Sequence, residues 1–144
     1  MFQDHVAVEE NYERFIRRVL AAEVVWGVRN ESGFQSCESN DDDSRRVLLF
    51  WSDAAYARRA VSRDYSDCEA ASIDLFNFLY RWLPGMARDN KLAGPNYTAD
   101  MCGLEVEPLD LQDALLSAMP KEMLGRYRDR LALELAEQRT RGGG

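Results

Sequence analysis

Five consecutive apolar residues, Val47–Trp51 (VLLFW), constrain this chain more than any other feature. The run has the length of a strand and none of the alternation of a strand with one wet face, so it belongs in the interior of a sheet. Ser52 follows as a predicted N-cap, with Asp53 in the first turn, where a helix dipole favours negative charge. Ala54–Val61 then predicts a short helix, and Cys68–Ile73 a strand of small residues. Asp74 is placed to cap a further helix, Leu75–Leu83, which Pro84-Gly85 should end. The middle of the chain therefore reads strand, helix, strand, helix.

The flanks add elements of both kinds. Residues 9–21 predict an amphipathic helix, with Tyr12, Phe15, Ile16, Val19 and Leu20 on one face and Glu10, Glu13, Arg14, Arg17 and Arg18 on the other. Glu23–Arg29 changes to a β-branched and aromatic pattern, Asn30–Gly33 reads as a turn, and Phe34–Ser39 predicts the second arm of a hairpin. Asn40–Arg46 is a polar loop. Met101–Val106 predicts a last strand, which Pro108 breaks before Asp110 caps a helix. Pro120 opens a final helix carrying Met123, Leu124, Tyr127, Leu131 and Leu135. The expected fold is α+β (or α/β): a single domain over residues 9–119, with a mixed sheet of about five strands flanked by helices. Residues 1–8 are expected to be a flexible N-terminus, 120–139 a C-terminal helical extension, and 140–144 a disordered tail.

Composition narrows the function. The 144 residues include 18 Lys+Arg against 25 Asp+Glu, a net charge of −7. From Lys121 on, six basic residues face four acidic ones, so the part before Lys121 carries more than the whole negative excess. A body this acidic lacks the basic surface that nucleic acid requires. Nothing approaches the roughly 18 apolar residues of a membrane span. The first residues, MFQDHVAVEE, lack a signal-peptide pattern, and a cytoplasmic protein is expected. Cys37, Cys68 and Cys102 are odd in number and widely spaced, so neither a disulfide framework nor a metal site is indicated.

No catalytic set emerges. His5 is the single histidine, and no phosphate-binding glycine loop is present. No metal and no cofactor are therefore expected. What stands out is aromatic and polar punctuation at element ends: Trp51-Ser52-Asp53, Trp82 before Pro84-Gly85, and Asn96-Tyr97 after Pro95. If the strand ending at Trp51 and the loop at Asn96 share the carboxyl edge of a sheet, these residues line a ligand or partner cleft. The competing expectation is that the tryptophans are core and that Ser52 and Asn96 satisfy backbone groups. Asp41–Asp43 is a candidate acidic loop facing a basic protein partner; it lacks the glycine and distal glutamate of a calcium loop. Glu105 and Glu107 read as solvent-facing acids.

Several of these segments carry a resemblance. Phe15–Val19, Val24–Val28, Phe50–Ala57 (FWSDAAYA), Trp82–Met86 (WLPGM), Gly94–Tyr97 and Gly103–Pro108 resemble, in the same order, the bacterial domain-of-unknown-function family 2750. The resemblance runs from about Tyr12 to Leu116. It implies a bacterial context and no known activity. A looser likeness in element order is to SseB-like domains. The functional expectation is a non-enzymatic protein-binding domain, immunity- or chaperone-like, either a monomer or a homodimer. The alternative is a small-ligand domain or enzyme using a cleft near Trp51, Asp53 and Asn96.

Overall fold

The computed structural model describes residues 2–96 and 104–142, with the side chains of residues 9–96 and 104–142. Two helices bracket the chain: α1 (Phe2–Ala22) and α6 (Lys121–Gly142). Each exceeds its sequence-predicted bounds. The backbone is helical from Phe2, within the segment expected to be flexible, and α6 runs through Thr140–Gly142, within the expected tail. Neither segment contains a proline or β-branched run able to stop a helix already under way.

The strands are β1 (Val24–Asn30), β2 (Gly33–Phe34), β3 (Ser36–Glu38), β4 (Arg46–Phe50), β5 (Glu69–Asp74) and β6 (Leu92–Pro95). They form two three-stranded sheets, β2-β1-β5 and β3-β4-β6, in place of one sheet of five. The split occurs at Gln35, inside the expected second hairpin arm. Gln35 N–H donates to Val28 O (2.9 Å), and Gln35 O accepts from Leu49 N (3.4 Å), so the arm changes partner there. Trp26 and Trp51 then tie the sheets with two reciprocal backbone bonds of 2.8 and 2.7 Å. β4 pairs antiparallel with β3 and parallel with β6, giving the mixed character predicted.

β4 explains its own sequence. Leu48 and Phe50 enter the larger core with Phe15, Val19, Phe78, Leu79 and Leu115. Val47, Leu49 and Trp51 enter a smaller core with Val28, Leu92 and Ala57 of α2 (Ala54–Arg63). Alternate residues thus go to opposite faces, and both faces are covered.

The helix after β5 departs from expectation. Asp74 caps α3 (Leu75–Asn77), its Oδ2 accepting from Asn77 N at 3.3 Å, as predicted. Pro84-Gly85 does not end the helix. A π turn, Phe78–Trp82, intervenes, with Leu83 N–H donating to Phe78 O five residues back, and α4 (Leu83–Arg88) continues. A proline inside a regular helix clashes with the carbonyl four residues earlier; the wider turn accommodates it. At the last predicted strand, Met101–Gly103 lie outside the described residues, and Val106 forms an isolated bridge with Ala93. Pro108 follows the extended stretch and is itself the first residue of α5 (Pro108–Ala118), so the N-cap is Glu107 and not Asp110, which lies in the first turn.

Candidate functional site

Ser52, Asp53 and Asn96 come together where β4 and β6 end side by side, as the shared-edge argument requires. They are bonded to one another. Ser52 N–H donates to Asn96 Oδ1 (2.8 Å), and Asn96 Nδ2 donates to Ser52 Oγ (3.2 Å). Ser52 Oγ donates to Asp53 Oδ2 (2.9 Å), which also accepts from Arg18 Nη1 (2.7 Å). Asn96 N–H donates to Phe50 O (2.7 Å), and its carbonyl accepts from Asn11 Nδ2 (2.8 Å). Asn96 has φ = +50°, a conformation asparagine tolerates better than most residues. The helix N-cap is Asp53, one residue later than predicted, and its carboxylate serves Ser52 and Arg18. The bond to Asp53, then one to Tyr56, hold the Arg18 guanidinium above its ordinary pKa.

Trp51 is 5% exposed and lies in the smaller core. With Ser52 and Asn96 also buried, the junction is a polar lock between α1, β4 and β6, buried at Ser52 and Asn96 and exposed at the Arg18–Asp53 pair. Tyr97, the other residue expected there, lies outside the described residues. Trp82 is half-buried and away from the junction. Its ring meets Phe34 edge-on at 4.7 Å and Phe50 at 6.2 Å.

The acidic loop is ordered by its own side chains. Asp42 Oδ1 accepts from Ser44 N (3.0 Å) and Ser44 Oγ (2.6 Å), which lowers the Asp42 pKa. Asp41, Asp42 and Asp43 are all exposed. No cluster of three or more His, Cys, Asp or Glu residues able to hold a metal ion occurs among the described residues. Glu105 and Glu107, expected to face solvent, fasten this loop. Glu105 accepts from Ser39 Oγ (2.5 Å) and Asn40 N (2.9 Å). Glu107 takes a two-pronged grip from Arg45, whose Nη2 lies 2.9 Å from Oε2, and this holds the Glu107 pKa down.

Two concavities elsewhere are open to solvent. One, of about 480 Å³, has Phe34, Leu48, Trp82 and Met86 in its walls, with Arg81, Asp89 and Lys91 beside them. The other, of about 580 Å³, is a groove between α1 and α5 that ends on the first turn of α6. Tyr12, Ile16 and Leu20 form one wall, and Ala114, Ala118, Pro120 and Met123 the other; Glu13 and Arg17 stand on the α1 side. Small residues four apart on α5 leave the gap. This spacing is the one signal in the sequence that pointed to the groove.

The family described as "Protein of unknown function (DUF2750)" matches residues 12–115. The chain belongs to this family. No curated protein and no solved structure matches the chain, and the looser likeness to SseB-like domains has no support from these comparisons. The DUF2750 match takes in the lock except for Asn11, and the α1 wall of the groove. Ala118, Pro120, Met123 and all of α6 lie beyond it, so the far end of the groove is built from sequence outside the matched span. No described helix of this DUF2750 member is long and apolar enough to cross a membrane.

Proposed function

We propose that this domain is a protein-binding module whose α1/α5 groove accepts a helix. The observation that carries the reading is the groove itself: a trough with apolar walls, open to solvent and closed at one end by the start of α6. Helix-in-groove recognition seats apolar side chains between the groove walls, and Ile16 and Leu20 offer surface to receive them. Apart from the groove, the exposed Asp41–Asp43 loop is a surface that favours encounter with a positively charged partner.

The test is capture by the full-length chain from the source cell's extract, wild type against Ala118→Arg. Ala118 is exposed and lines the groove, so the arginine fills the trough without disturbing the core. A protein retained by wild type and lost with Ala118→Arg is the expected result. An identical bound set for both overturns the reading.

A further inference from the structure

The same molecule carries a helix with an exposed end. α6 is 22 residues long, about 33 Å at 1.5 Å per residue. Its first half is anchored. Met123 and Tyr127 are buried, Tyr127 OH donates to Glu23 Oε1 (2.6 Å), and the Arg130 guanidinium sits 4.0 Å from the Phe76 ring centre. Arg81 reaches Glu134 at 3.1 Å. From Leu135 to Gly142 every residue is exposed. Leu133 is 62% exposed and Leu135 48%. They lie on opposite sides of the helix end, so a partner lying along one face covers one of them.

Resting on the helix-docking reading above, we infer that the occupant of the groove is the end of α6 from a second copy of this chain, exchanged reciprocally about a two-fold axis. The charge pattern selects this occupant. Leu133, Glu137, Thr140 and Arg141 share one face of α6 by helical spacing. On α1, Glu13 and Arg17 border the groove in the same acidic-then-basic order. Laid antiparallel, Glu137 stands opposite Arg17 and Arg141 opposite Glu13, while Leu133 comes against Ala21 and Leu20. A parallel alignment sets like charges together.

The fold supplies the antiparallel sense. Met123 meets the groove beside Ile16 and Leu20, and one turn later Tyr127 reaches Glu23, so α1 and the chain's own α6 run the same way there. Under a two-fold axis perpendicular to it, the second copy's α6 runs opposite to this α6, and hence opposite to α1. The arrangement is isologous and closes at two copies.

The test is the mass of the full-length chain by sedimentation and light scattering, at concentrations on the order of 100 μM. Wild type is expected at the mass of two chains. Leu133→Asp is expected at one, with an unchanged circular-dichroism melt because Leu133 is exposed. Glu13→Arg alone and Arg141→Glu alone each make both symmetry-related pairs repulsive and weaken dimerisation on the order of tenfold. Mixed in equal amounts, these two variants regain a dimer. One contact then joins the two substituted positions with their charges exchanged, and the other is native. A single-chain mass for wild type overturns the inference, as does a dimer indifferent to Leu133→Asp and to the charge exchange. If wild type has a single-chain mass yet captures a partner that Ala118→Arg loses, the second-copy assignment fails and helix docking stands.

Discussion

The Ser52–Asn96 lock and the α1/α5 groove are opposite solutions to the ending of elements at a surface. In the lock, polar side chains satisfy the backbone where two strands stop, and the residues involved are buried. In the groove, two helices pass with small residues between them, and apolar surface stays open. The difference teaches where to look for action on this fold. Conspicuous residues, a tryptophan, a serine and an asparagine at strand ends, mark a place already filled by its own chain. The inconspicuous alanines mark the place where apolar surface stays open.

The sharpest way to break this comparison is to truncate the two tryptophans. Trp51, buried beside the lock, should cost about 3–5 kcal/mol when changed to alanine, as for other buried large-to-small substitutions. Trp82 is half-buried on a cleft wall, and Trp82→Ala should cost less, about 1–3 kcal/mol. Urea melts of the two variants measure the difference. A costlier Trp82 would make the cleft wall the keystone and the lock secondary.

A smaller effect sharpens the account of the lock. Asn96→Ala removes the acceptor for the buried Ser52 N–H, at about 1–3 kcal/mol. It also places a Cβ without side-chain compensation at φ = +50°. Asn96→Gly loses the same side-chain bonds and not the backbone tolerance. The gap between the two variants, expected at about 1 kcal/mol in the same melts, isolates the left-handed strain. Equal stabilities would mean that the turn relaxes once the side chain has gone.

The lock's strand-end members were legible; its α1 members and its internal bonding were not. Strand ends share an edge, so Ser52, Asp53 and Asn96 could be placed together from the order of elements. Whether they bond a ligand or each other depends on separations of about 3 Å, which no spacing encodes. Asn11 and Arg18 were missed as members because periodicity says which face of α1 is wet, not which strand end 85 or 35 residues onward that face meets. The run Val47–Trp51 was legible because burial on both faces removes any need for alternation. Pro84 misled because a proline is compatible with a helix once a π turn precedes it, and the turn depends on how Phe78 and Leu79 pack into the core. The hairpin's division at Gln35 was invisible for a related reason: one continuous extended segment can serve two sheets.

The smallest effect lies at the foot of α6, next to the groove, and shows through pH. Burial and the bond to Glu23 push the Tyr127 phenol above its ordinary value of 10.0. That bond, followed by Arg126, holds the Glu23 carboxyl below its ordinary 4.5. For the tyrosine, the folded chain keeps a proton that the unfolded chain loses above 10.0, so its contribution is full below that pH and is lost as pH rises further. For the glutamate, the contribution is present above 4.5 and fades as pH falls through the depressed folded value. Tyr127→Phe keeps the ring in the core and removes the bond. Between these limits it should cost about 1 kcal/mol at most, because Glu23 is 37% exposed and water screens the pair. The cost should shrink toward zero in melts above pH 10. On the acid side it should shrink less completely, since Arg126 still holds Glu23 at 3.1 Å in the variant. A cost independent of pH from neutral to alkaline would mean that the phenol anchors α6 by packing alone, and that the hydrogen bond to Glu23 contributes nothing to the groove's end wall.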